Sequence, residues 1–323
     1  MVFFRNNSLH RAITSLYSLL VCVSTLLDLI FAGSTMISST EDKLFPQKYT
    51  FQIKGCLYSW NKPKVMGILN LTPDSFFEGS RVPTDKKTVL EEAEKKIKEG
   101  ADFLDLGGYS TRPGAADISI EEEIARVIPA ISEIKKNFPD TLLSVDTFRS
   151  QVAKAAVEAG AELVNDISAG NLDPEMLPLV AQLGVPYIAM HMKGSPQTMQ
   201  TETSYTDLVP DVLAYFGEKI EQFRKFGIKD VIIDPGFGFA KTREQNFELL
   251  RNLSSFKRLG LPVLVGLSRK SMIYKTLEIS ANEALNGTTA LNMFALLQGA
   301  DILRVHDVKE AKETIELAAQ IYP

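Results

Sequence analysis

From Val65 onward the chain alternates two kinds of segment. Short runs of mostly apolar residues occupy 65–70, 102–107, 141–146, 162–167, 185–190, 230–234, 262–267 and 301–306. Apolar runs of this length fit strands that are covered on both faces, the condition of a parallel sheet. Longer amphipathic stretches separate them, and these predict helices at 84–99, 120–137, 149–159, 173–183, 206–226, 244–259, 282–299 and 308–320. Thr84 opens the first as an N-cap and Gly100 follows it as a C-cap. Gly160, Gly184, Gly227, Gly260 and Gly299 likewise end helices and feed directly into the next strand. Alternating strands and helices predict an α/β fold with a parallel sheet. Eight such units in a single domain favour closure into a (β/α)8 barrel, the TIM barrel, over an open doubly wound sheet. The open alternative also wants GxGxxG after its first strand, and the chain lacks it.

Composition narrows the function classes. The chain has 323 residues, 45% of them hydrophobic, enough for one large core. Its net charge is -5 and no basic stripe runs through it, which argues against a nucleic-acid partner. An anionic substrate must then be held by a few local cations. Cys22 and Cys56 form no CxxC pair, so neither a disulfide framework nor a zinc site is indicated. The absence of HExxH and GxSxG argues against a zinc protease and against a serine hydrolase of the α/β-hydrolase type.

Residues 1–35 stand apart. The stretch 12–33 is strongly apolar, with Arg5 and Arg11 before it and Ala32, Gly33 and Ser34 after it. That is the outline of a signal peptide or membrane anchor, although Asp28 inside it is costly in a bilayer. The reading preferred here is that Met36 is the true start, so that membrane association arises only if the segment is real. In either case 1–35 lies outside the fold, and 36–323 forms the catalytic barrel domain.

Polar residues gather at the ends of the predicted strands: Asn70, Asp105, Asp146, Asn165 with Asp166, His191, Asp234, the Ser268-Arg269-Lys270 run, and Arg304 with His306. In a TIM barrel these positions converge on the mouth where active sites are built. A charge within an apolar strand is costly unless paired. One such residue is readily structural: Asp146 before Thr147 suits a helix cap, and Asp234 before Pro-Gly suits a turn. A ring contributed by most strands points to function.

The same strand ends carry MGILNLTPDSF (66–76), DLGGYSTRPGA (105–115), SVDTFRS (144–150), NDISAG (165–170), HMKG (191–194), DPGFGFAK (234–241), GLSRKS (266–271) and LRVH (303–306). In this order the set resembles the successive motifs of the dihydropteroate synthase family, from about residue 50 to the end. The resemblance implies a transferase that condenses 6-hydroxymethyl-7,8-dihydropterin diphosphate with p-aminobenzoate in folate biosynthesis. It also implies a magnesium cofactor, a homodimer, a cytoplasmic location and a sulfonamide target. Asp146, Asn165, Asp234, Lys270 and Arg304 match the pterin-binding residues, with Arg304 stacking on the ring. Asn70, Thr111, Arg304 and His306 match the diphosphate site, and Asn70 and Glu78 the metal site. Phe76, Thr111, Arg112, Pro113, Phe239 and Ser268 match the p-aminobenzoate pocket and its loops. Asp146, Asp234, Lys270, Arg304 and His306 are the catalytic set.

The residue types suit these roles. A carboxylate accepts both hydrogen bonds of a guanine-like edge. An arginine offers a plane that lysine lacks, and an amide oxygen is a hard donor for magnesium. Glu78 and Tyr109 depart from the family, which usually has aspartate at the first position and a polar or acidic residue at the second. Two other readings are a pterin-dependent methyltransferase, which should lack the SRK and STRPG features, and a non-catalytic pterin-binding protein.

Overall fold

The computed structural model of the chain describes residues 48–72, 86–110 and 116–321. The expected boundary at residue 36 and the Thr84 cap lie outside them. The described chain begins with an antiparallel hairpin, β1 (Tyr49–Ile53) and β2 (Cys56–Trp60). Eight parallel strands follow: β3 (Lys64–Asn70), β4 (Phe103–Gly107), β5 (Leu142–Asp146), β6 (Leu163–Asp166), β7 (Tyr187–Met190), β8 (Val231–Asp234), β9 (Leu264–Val265) and β10 (Ile302–Val305). They pair in the order β8-β7-β6-β5-β4-β3-β10-β9. A parallel bridge between Ile233 and Val263 joins the two edges, so the barrel is closed. The helices are α1 (Lys86–Lys98), α2 (Ile120–Asn137), α3 (Ser150–Ala159), α4 (Met176–Leu183), α5 (Leu208–Phe226), α6 (Arg243–Arg251), α7 (Ser271–Leu277), α8 (Leu285–Leu297) and α9 (Val308–Ile321).

The apolar runs become strands because both faces are covered. Val65, Leu104, Leu143, Val164 and Val305 belong to the shell packed with the helices. Met66, Phe103, Leu163, Ile188, Ile232, Leu264 and Ile302 fill the barrel interior together with Tyr49, Phe51, Ile53 and Trp60 of the hairpin. The hairpin therefore plugs the end at which the strands begin. The polar mouth lies at the opposite end, where they finish.

Every expected strand is present, the seventh shortened to two paired residues. The helix predicted at 244–259 divides. Thr242 and Gln245 form a capping box at its start, and α6 ends before Asn252, whose side chain donates to the Glu248 carbonyl at 2.8 Å. Asn252, Ser254 and Ser255 compete for backbone hydrogen bonds, and the chain continues as a 3-10 turn over Leu253–Leu259. The periodicity missed α7 and the hairpin. Among the described residues no helix is long and apolar enough to cross a membrane.

Candidate active site

The ends of β4, β5 and β10 bring three charged groups into one hydrogen-bonded set. Arg304 donates from Nε to Asp105 Oδ2 at 2.6 Å and from Nη2 to Asp146 Oδ2 at 2.5 Å. Asn165 on β6 donates to the same Asp105 oxygen at 3.0 Å. Burial opposes the charge on Arg304, but its two carboxylates outweigh that and hold it above the usual range. Burial also lifts the Asp146 carboxyl to about 7, although Arg304 pulls the other way. The second oxygen of Asp105 is buried without a hydrogen-bond partner, as is Ser144 Oγ on the neighbouring strand. Orphaned buried oxygens are costly.

Asp234 closes β8, buried, with Oδ1 accepting from Gly236 N at 2.8 Å. Burial raises its pKa, and the Lys270 ammonium is the chief opposing charge. Lys270 donates to the Phe237 carbonyl and stands 4.8 Å from the Phe239 ring centroid, a cation–π distance. Burial brings its pKa down to about 8. The turn after Asp234 depends on glycine. Gly236 has φ +76°, and a Cβ there would lie 2.0 Å from the His191 carbonyl oxygen.

His306 is half-buried beside Ser268. Its backbone N–H donates to Ser268 Oγ at 3.2 Å, and Oγ lies 3.0 Å from its Nδ1. One hydrogen bond joins Oγ and Nδ1, and the imidazole tautomer sets which of the two donates. Burial holds the ring pKa near 4. At pH 7 His306 is therefore a neutral imidazole, with Arg304 nearby also opposing its protonation. Asn70 ends β3 half-buried. No cluster of three or more His, Cys, Asp or Glu residues capable of caging a metal occurs among the described residues.

The structure thus brings together Asp146, Asn165, Asp234, Lys270 and Arg304, with Phe239, Ser268 and His306 on neighbouring strand ends. Phe76, Glu78, Thr111, Arg112 and Pro113 lie outside the described residues. Three members of the polar ring are structural. Asp166 accepts from Ser168 N and Oγ, Gly170 N and Tyr187 OH, which builds the turn after β6. Arg269 is spent on Asp307, with Nη2 to Oδ1 at 2.7 Å and Nε to Oδ2 at 3.0 Å. His191 is buried against Lys241, and burial keeps it neutral. Tyr109 packs edge-on against Phe148 at 5.1 Å and accepts from Gln197 Nε2 at 2.7 Å. Sequence reasoning assigned no role to Lys241. The signal was there, a lysine directly following the apolar end of the 234–240 turn.

Comparison with known proteins agrees with this geometry. The profile of the family described as pterin binding enzyme matches residues 66–306. The dihydropteroate synthase of Synechocystis is 44% identical over 270 residues, spanning 82% of this chain and 93% of its own length. That of Escherichia coli is 42% identical over 277 residues, spanning 85% and 95%. The solved Xanthomonas albilineans dihydropteroate synthase with 4-aminobenzoic acid superimposes with a TM-score of 0.79 at 39% identity, covering 86% of this chain and 100% of that one. The chain belongs to the pterin binding enzyme family and, within it, to the dihydropteroate synthases, transferases of folate biosynthesis.

Proposed function

We propose that this barrel mouth condenses 6-hydroxymethyl-7,8-dihydropterin diphosphate with p-aminobenzoate, giving 7,8-dihydropteroate and diphosphate. The observation that carries the residue assignment is the division of labour among the carboxylates. Arg304 is shared by Asp105 and Asp146, while Asp234 keeps a buried carboxyl next to Lys270. Asp234 is the group free to accept the paired N–H donors of the pterin edge. Lys270 and Asn165 supply further polar contacts to the ring. The edge of the Arg304 guanidinium is held by carboxylates, which leaves its plane for stacking on the pterin.

Asn70, His306 and Arg304 would receive the diphosphate. With one hard oxygen donor from the described residues, the donor set suits magnesium, which keeps waters and takes substrate oxygens. Asn70, with Glu78, would hold it, and when bound the ion would make diphosphate a better leaving group. As the carbon–oxygen bond breaks, positive charge spreads into the ring, where Asp234 and the Arg304-paired Asp146 face it. The arylamine, neutral at pH 7, attacks the methylene. Phe239 and Ser268 would line its approach; Phe76, Thr111, Arg112 and Pro113, matched to the same pocket by sequence, lie outside the described residues. No protein nucleophile is required, and positioning supplies much of the rate. The p-aminobenzoate site would also receive sulfonamides.

Exposed apolar side chains on α8 (Phe294, Leu297) and α9 (Leu317, Ile321) support association of two copies. The enzyme would act in the cytoplasm. The test is diphosphate release with magnesium, with and without p-aminobenzoate, using protein that starts at Met36. Release that depends on p-aminobenzoate, with dihydropteroate formed, is expected. Tight pterin binding without product would turn the case toward a methyltransferase or a binding protein.

A further inference from the structure

One buried cation beside the mouth has no part in the chemistry above. Lys241 is 6% exposed. Its Nζ lies 3.0 Å from each of three acceptors: His191 Nδ1, Gly236 O and Phe239 O. An ammonium has three hydrogens, so all of them are used. Two of the acceptors belong to the turn that follows Asp234, and the third reaches across to the end of β7. The turn needs such a clamp. Gly236, Gly238 and Ala240 all have positive φ, and alanine takes that conformation at a cost. The same turn carries the N–H that bonds to Asp234 Oδ1 and the carbonyl that receives Lys270.

We propose that Lys241 is a positioning residue that acts through Asp234, its ammonium holding the 234–240 turn in the conformation that presents the Asp234 carboxylate to the pterin. Burial brings the Lys241 pKa down to about 7, so the positive charge it adds behind that carboxylate is fully present on the acid side of neutrality. Asp234 faces Lys270 from the β9–α7 connection, Arg304 from β10 and Lys241 from its own turn. Lys241 in turn faces Lys270, Lys193 and the neutral His191. Removing Lys241 leaves Lys270 and Arg304 to favour the ionised Asp234, so the pH at which Asp234 protonates should rise.

The inference rests on the pterin reading of Asp234, and the experiment separates the two. A non-reactive pterin, pterin-6-carboxylate, is titrated calorimetrically between pH 5 and pH 8 into wild type, Lys241→Met and Lys241→Gln. Wild type that fails to bind the probe would sink the pterin reading itself. With wild-type binding established, Lys241→Met is expected to lose about tenfold or more in pterin affinity, against less than about threefold in KM for p-aminobenzoate. Its acid limb should also shift upward. Lys241→Gln keeps amide N–H donors without the charge, and it should recover part of the affinity while retaining the shifted limb. Pterin affinity within twofold of wild type in folded Lys241→Met overturns the proposal, as does an equal loss toward both substrates. Should the methionine variant not fold, the glutamine variant decides alone, and an unmoved acid limb there overturns it.

Discussion

Carboxylates stand at both ends of the barrel, and their surroundings differ. At the closed end Asp102, Glu162 and Asp301 open β-strand segments, each after a helix-ending Gly-Ala pair. Each backbone N–H donates to a residue on another strand segment, to Val65, Leu143 and Val263 respectively, and the side chain accepts that same residue's N–H. Lysines cover the remaining lone pairs: Lys64 and Lys312 at Asp102, Lys54 and Lys135 at Glu162, and Lys257 at Asp301. At the open end Asp105 and Asp146 share one arginine and an Asp105 oxygen has no partner; burial raises the pKa of Asp146 and Asp234 there, as it does that of Asp301 at the closed end. The closed end satisfies its charges internally. The open end leaves them partly unsatisfied, the condition under which a ligand can complete them.

Arg304→Met should have the largest effect, because it leaves two buried carboxylates without a cation. A loss of about 3–5 kcal/mol is expected for breaking such a set, together with loss of turnover. The pH dependence has a definite sign. The folded pKa of Asp146, about 7, lies above its ordinary 3.8. The native state therefore holds a proton that the unfolded state releases, and stability falls as pH rises through that window. Without Arg304 the folded pKa climbs further, so urea denaturation should show a smaller deficit at pH 5.5 than at pH 8. An equal deficit at both would mean that Arg304 is not compensating those carboxylates.

Asp234→Asn should come next, and should act on the pterin reaction rather than on stability. Exchanging a carboxylate for an amide on a bidentate edge is expected to lower kcat/KM for the pterin substrate about 100-fold, roughly 3 kcal/mol. Since burial disfavours the charged form of Asp234, the thermal midpoint should hold or rise. Unchanged turnover would remove Asp234 from the pterin site. Glu162→Ala is the mirror experiment. It takes the counter-charge from Lys135, whose side chain is 13% exposed and keeps only the Pro139 and Thr141 carbonyls, and it frees the Leu143 N–H. A loss of about 2–3 kcal/mol is expected, with kcat/KM within about twofold. A tenfold fall in kcat/KM would show that the two ends are not independent.

The sequence revealed the barrel and its ring of polar strand ends well, because both rest on local patterns: apolar run, amphipathic stretch, glycine stop. It separated poorly the residues that differ only in direction. Asn165 and Asp166 are neighbours, yet alternation along a strand sends one toward Asp105 and the other to the turn outside. Lys270 and Arg269 divide between Asp234 and Asp307 through the turn after β9, where Arg269 takes a left-handed conformation. Lys241 escaped because its partners are two carbonyls and an imidazole distant in sequence, which no spacing rule connects. The hairpin escaped because half its apolar positions serve the barrel interior while Leu57 stays exposed.

The smallest expected effect tests the closed end from within. Lys54 and Lys135 both reach the same Glu162 oxygen, at 2.6 and 2.7 Å. The Lys54 side chain is 58% exposed, and its backbone occupies the left-handed region at φ +49° in the hairpin turn. An exposed pair contributes about 0–1 kcal/mol. Glycine relieves the conformational cost of a left-handed residue by a similar amount. Lys54→Gly should therefore change stability by less than about 0.5 kcal/mol in either direction by urea denaturation. Lys135→Met should cost clearly more, since it leaves Glu162, almost fully buried, with the exposed Lys54 as its remaining cation. If the two variants proved equally costly, exposure would not be what ranks these lysines, and the satisfaction of the closed end would have to be assigned to the hairpin itself.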